Sequence, residues 1–121
     1  MKTLVSVFLV IAGVVFAAPA HALKSEGVTA TAGTVECWND GKDHLVHFVV
    51  FNHTDKRQKY VVEYKRSYDD KPRRYKVRVP RRQGINDGVI VKIGASIDYI
   101  TVEWNGSLIY YRTNYTAKAC Q

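Results

Sequence analysis

Arg74, Lys76 and Arg78 alternate with Tyr75, Val77 and Val79. On an extended strand alternate residues share a face and lie ~6.6–6.8 Å apart. That spacing matches the charges along an extended polyphosphate, or a sulfated or teichoic-type polymer. Lys65 and Arg66 precede the run, Lys71 and Arg73 lead into it, and Arg81 and Arg82 follow it. From Lys56 to Arg82 there are twelve basic and three acidic residues (Glu63, Asp69, Asp70), within a chain whose formal net charge is +7. A charge asymmetry this local points to an anionic partner surface. The competing explanation is solvation, because lysines and arginines on an exposed strand also suppress edge-to-edge aggregation. Tyr68 and Tyr75 lie close by and their faces can stack on sugars or bases. However, Tyr75 alternates with the cations and is expected in the core, which ranks nucleic acid below an anionic polymer, a membrane surface or an acidic protein.

Other residue types that do chemistry are present without a productive spacing. His44 and His47 differ by three positions and so face opposite sides of a strand, while His53 falls in a turn. Asp40, Asp43 and His44 lack the dense oxygen spacing of a calcium loop. Neither cysteine has a histidine or a further cysteine at metal-ligand spacing, so no metal and no cofactor are expected. Glu63, His44 or His47, and Arg74 are the types a small secreted ribonuclease needs, but nothing in their spacing selects them. Asp69 and Asp70 are adjacent at an apparent hairpin tip, a poor arrangement for an acid–base pair. There is no Gly-x-Ser-x-Gly elbow, no His-Glu-x-x-His and no phosphate-binding glycine loop. Three sequons occur, at Asn52, Asn105 and Asn114.

The elements that must position these residues are strands. Period-two alternation recurs along the chain with turn residues between runs, and no long window has a helical period. The first firm strand is Gly33 to Trp38, with an optional edge strand at Val28 to Ala32. Leu45 to Asn52 is apolar on both faces and is expected to be central. Tyr60 to Arg66 and Arg74 to Val79 follow, the latter ended by Pro80. Arg81 to Asp87 reads as a loop closing on an Asp87-Gly88 turn, before Val89 to Ile93. Asp98 to Trp104 and Ser107 to Thr116 flank Asn105-Gly106, the residues of a type I′ hairpin turn. A two-residue loop sets Trp104 opposite Ser107, Val102 opposite Ile109 and Ile100 opposite Tyr111. Seven strands at this spacing predict a single all-β domain, an antiparallel β-sandwich.

Residues 1–22 read as a signal peptide: Lys2, then an apolar run from Leu4 to Ala18, then Ala20 and Ala22 at the positions a signal peptidase reads. The expected mature domain is residues 23–121, secreted and either extracellular or associated with the cell envelope. In an oxidising compartment the two cysteines, Cys37 and Cys120, are expected to pair. Closing so long a loop is worth ~4–5 kcal/mol by chain entropy, as an upper bound.

Tyr75-Lys76-Val77-Arg78-Val79-Pro80, the glycine-containing loop after it, Val89-Ile90-Val91-Lys92-Ile93 and the Asn-Gly hairpin together resemble small immunoglobulin-like domains of secreted and wall-associated bacterial proteins. The resemblance covers most of Gly33 to Tyr115. It implies a fold and a scaffold role, and no activity. In antibody-type domains the disulfide joins two central strands across the core, whereas here it clasps the first firm strand to the chain's end. The expected function is a secreted, non-catalytic basic module binding an anionic polymer, membrane or acidic protein through Lys65, Arg66, Lys71, Arg73, Arg74, Lys76, Arg78, Arg81 and Arg82. The alternatives are a secreted cationic toxin or antimicrobial effector, nuclease activity being one action open to it, and an inhibitor or immunity-type protein acting through a loop such as Ser67 to Arg73.

Overall fold

A computed structural model describes residues 27–120; the expected signal peptide and its cleavage point lie outside them. Seven antiparallel strands form two sheets: β1 (Val28–Trp38), β2 (Asp43–Asn52), β3 (Gln58–Arg66), β4 (Arg73–Val79), β5 (Gly84–Lys92), β6 (Ser96–Trp104) and β7 (Ser107–Thr116). One sheet has the order β1-β2-β5, the other β4-β3-β6-β7. The doubly apolar β2 is central in its sheet, as its pattern requires. Its inner face (Val46, Phe48, Val50) is fully buried, while Phe51 on the outer face is 37% exposed.

The core lies between the sheets because each strand turns its alternate apolar residues inward. Val46, Phe48, Val50, Val89 and Val91 meet Tyr60, Val62, Ile100, Val102 and Tyr110. Phe48 stacks on Tyr110 across the gap with centroids 5.5 Å apart. Polar bridges and one covalent bond also join the sheets. Tyr60 and Tyr75 both donate to the carboxylate of Asp87, at 2.8 and 2.9 Å. His44 Nδ1 lies 2.7 Å from the Tyr115 hydroxyl. The Cys37–Cys120 disulfide ties β1 to the segment after β7, across a sequence separation of 83.

Three local expectations need correction. Asp87-Gly88 is not a turn. Both residues lie inside β5, paired with Phe48 and His47 of β2. Gly88 is needed for close approach, since a Cβ there would sit 2.8 Å from the Val46 carbonyl oxygen. Asp87 faces inward to receive the two phenols. The segment read as Val28–Ala32 and Gly33–Trp38 is one strand, β1, with an irregularity between Ala32 and Val35. In the last hairpin, Asn105 and Gly106 both have positive φ (55° and 80°), as a type I′ turn demands. Trp104 does face Ser107, but a bulge after Val102 shifts the rest by one residue. Val102 therefore faces Tyr110 and Ile100 faces Arg112, which turns the Tyr110 ring into the core.

The Asp87 bridge gives a testable alkaline limit. Burial, reinforced by the bond to Asp87, holds the Tyr60 phenol far above its ordinary pKa, and burial with the Asp87 charge does the same for Tyr75. Both therefore stabilise the fold fully below the unfolded phenol value of about 10. That stability drains as pH rises beyond it, because only the unfolded chain releases these protons. Asp87→Ala at pH 7 is expected to cost about 1–3 kcal/mol for each stranded phenol, measured by urea unfolding. It should also bring the titration of Tyr60 and Tyr75 partway back toward the ordinary phenol range in a spectrophotometric titration, burial still holding them above it.

Candidate functional site

Consecutive strands β3 and β4 form a hairpin, and their register decides where the cations go. Tyr60 pairs with Val77 and Val62 with Tyr75, all turned inward. Parity then sends Lys59, Val61, Glu63 and Lys65 outward beside Arg78, Lys76 and Arg74. The end of this hairpin is fixed by Asn52, which is fully buried. Its amide nitrogen donates to the carbonyls of Lys56, Val79 and Pro80, at 2.8, 3.2 and 3.2 Å. Its Oδ1 accepts from the backbone N–H and hydroxyl of Thr54. The Asn52 sequon is thus absorbed by structure, while Asn105 and Asn114 are exposed.

The nine cations singled out in the sequence are not all unpaired: five of them meet carboxylates. Arg66 and Arg73 converge on Asp69, with Arg66 Nε at 2.8 Å and Arg73 Nε at 3.1 Å from its oxygens. Arg66 also donates to the Ile90 carbonyl on the free edge of β5, at 2.9 Å, and its guanidinium lies 4.8 Å from the Tyr68 ring centroid. It is a structural clamp. Arg74 pairs with Glu63 at 2.7 Å, Lys65 with Asp98 at 3.1 Å, and Arg82 with Asp55 at 2.9 Å. Tyr99 donates to the second oxygen of Glu63 at 2.8 Å. This bond and the Arg74 pair hold the Glu63 carboxyl below its ordinary pKa.

Lys71, Lys76, Arg78 and Arg81 make none of the ion pairs found among the described residues. Lys76 and Arg78 are joined by Lys59, which sequence reading passed over. Lys59 is the direct register partner of Arg78. Like charges placed opposite one another on a sheet destabilise it. Elsewhere on the same face the cross-strand pair is complementary, Glu63 with Arg74. Lys59, Lys76 and Arg78, with Val77, line an open groove of about 590 Å³. A second groove of about 290 Å³ continues from it over Val61 to Glu103, Asn105 and Gly106. The signal that locates Lys59 in the sequence is parity: it precedes the inward Tyr60 by one residue.

The remaining chemical residues are dispersed. Glu63 and Arg74 lie on the outer face of the four-stranded sheet. His47 lies on the outer face of the other sheet, its Nε2 3.2 Å from Glu36 Oε2, outside hydrogen-bond geometry. His44 points between the sheets to Tyr115. The residues a ribonuclease reading would recruit therefore occupy three separate places. His53 bonds Thr29 at 3.0 Å and tilts against Phe51. Comparisons of this chain with family models, with curated proteins and with solved structures gave no match.

Asp69 is the buried anchor of the 67–72 loop, with a side chain only 2% exposed. Hydrogen bonds from Arg66 hold its carboxyl far below the ordinary value, despite the opposing effect of burial. A depressed folded pKa contributes stability that is complete above the unfolded value of about 3.9 and is lost as pH falls through the folded one. Asp69→Asn should cost about 1.5–3 kcal/mol at pH 7 in denaturant unfolding, and this difference from the parent should shrink on acidification below pH ~4.

Proposed function

We propose that this is a secreted, non-catalytic binding module that engages an extended anionic polymer carrying phosphate or sulfate groups, through Lys59, Lys76 and Arg78. The observation that carries this reading is the cross-strand Lys59–Arg78 pair, unmatched by a carboxylate and set beside Lys76. An anion lying across β3 and β4 relieves that repulsion and gains charge-assisted hydrogen bonds. Arg78 supplies a planar donor fork and the lysines supply compact charges. The groove is open, which suits a polymer lying across it better than a small molecule enclosed by it.

Lys71 and Arg81, both exposed and free of ion pairs, add attraction at longer range. Lys65, Arg66, Arg73, Arg74 and Arg82 stabilise the scaffold and leave less charge for a ligand. Glu103 on the far side of Val61 confines the anion to the β3–β4 side. The disulfide is compatible with an extracellular location, and the expected signal peptide is the reason for reading the protein as secreted.

The test is retention on heparin, RNA, a teichoic-type polymer, acidic liposomes and an acidic protein across a salt series. Changing Lys59, Lys76 and Arg78 together to Ser should abolish retention on one polymer. It should also flatten the log affinity–log salt slope by about 2–3, for three contacts at ~0.7–0.9 each. Changing Lys65, Arg74 and Arg82 to Ser removes the same charge and should leave most of the retention. Equal losses in the two variants would reduce the effect to net charge. Preference for liposomes or acidic protein would replace the polymer with that partner.

A further inference from the structure

Sequence spacing gives neither cysteine a metal-ligating neighbour, but the fold supplies one. The ligand atoms of Cys37, Cys120 and His44 all lie within 4.8 Å of one another. Two strands and the segment after β7 bring them together. Cys37 is the register partner of His44 on β2, and Cys120 arrives after β7 ends. We propose that opening the Cys37–Cys120 bridge creates a three-ligand site, two thiolates and one imidazole, for zinc or a cation of the same borderline-soft class.

The donor set has the right chemistry. Two cysteines and one histidine with a water in the fourth position is an established type of open zinc site, and sulfur ligands select against magnesium and calcium. The second shell is already in place. A ligating histidine normally has its other ring nitrogen engaged by an oxygen, which fixes tautomer and orientation. His44 Nδ1 is engaged by the Tyr115 hydroxyl at 2.7 Å, so Nε2 is the atom assigned to the metal. Tyr115 is steadied in turn by the Arg112 guanidinium, 4.9 Å from its ring centroid.

The movement required is small. Tetrahedral zinc, with bonds of ~2.0–2.3 Å, sets its ligand atoms about 3.5–3.8 Å apart. The ligand atoms already lie within 4.8 Å of one another, so the imidazole must close by at most about 1.3 Å once the bridge is open. Cys120 lies beyond the last residue of β7, so its shift breaks no strand pairing. Cys37 is exposed and the other two residues are half-buried, which leaves a path for reductant and ion.

The chemistry balances. A dithiol reductant gives two electrons and two protons to the bridge and becomes a disulfide itself; the S–S bond breaks and two S–H bonds form. The metal then displaces both thiol protons to solvent and gains two bonds to sulfur and one to nitrogen. The oxidised protein has no thiolate to offer, so the site exists in the dithiol form alone.

The experiment reduces the protein anaerobically with a phosphine and titrates it with Co²⁺ as a spectroscopic probe, then with Zn²⁺. The expected result is a thiolate-to-cobalt charge-transfer band at one equivalent, bleached by zinc, with both thiols protected from a thiol reagent. His44→Ala should weaken binding at least about tenfold, and Tyr115→Phe by ~10-fold or more. The Cys37→Ser/Cys120→Ser variant should give no band. Far-UV circular dichroism accompanies each titration. A reduced chain that unfolds without metal and refolds with zinc supports the site, and one that zinc does not refold overturns it. So does a folded, reduced protein with no cobalt band, or a His44→Ala affinity equal to the parent's.

Discussion

The register of β3 against β4 decides which side chains meet water. Tyr60 opposite Val77 and Val62 opposite Tyr75 can be buried only in one phase of the hairpin. A slip of β4 by one residue would carry Arg74, Lys76 and Arg78 into the gap between the sheets and eject Tyr75 and Val77. Charged groups cannot be buried there unpaired, so the same apolar alternation that builds the core also presents the cations. The basic groove is thus held in place by the residues behind it. Asn52 adds the final constraint at the hairpin's end by gathering three carbonyls from two segments of chain.

The two sheets are also joined by more than apolar contact. Asp87 binds two phenols from the opposite sheet, and His44 meets Tyr115 near the disulfide. Apolar surfaces attract without direction, whereas these bonds have fixed partners and angles. They define how the sheets sit over one another, so the polar bridges supply uniqueness and the valine-rich interior supplies most of the attraction. Arg66 works at the margin, joining the end of β3 to Asp69 and to the edge of β5 that no strand among the described residues covers. An unpaired strand edge invites association with another chain, and part of the excess positive charge is used to cover it.

Much of the fold was legible because its signals are local. Seven strands, the central place of β2, the Asn105-Gly106 turn and the pairing of two cysteines follow from alternation, turn chemistry and arithmetic. The misreadings have a common cause. Asp87-Gly88 has the composition of a turn, but the glycine answers a close approach by β2 and the aspartate answers two phenols from the other sheet. The last hairpin's turn was readable, and the bulge after Val102 was not, because a bulge is set by how Tyr110 packs on Phe48.

The candidate site divides the same way. The sequence by itself determined that the 56–82 segment is cationic and that Arg74, Lys76 and Arg78 share a face, since composition and strand parity are properties of the chain alone. Only the tertiary structure decided which cations are spent. Glu63, Asp69, Asp98 and Asp55 reach their partners through pairing and loop closure, and Lys59 joins the free set only through its partner across the hairpin. His44 reached Cys37 and Cys120 in the same manner, on the neighbouring strand and in the segment after β7. Charge falls off with distance and screening within about 10 Å, and distances between residues remote in sequence are fixed only when the sheets close.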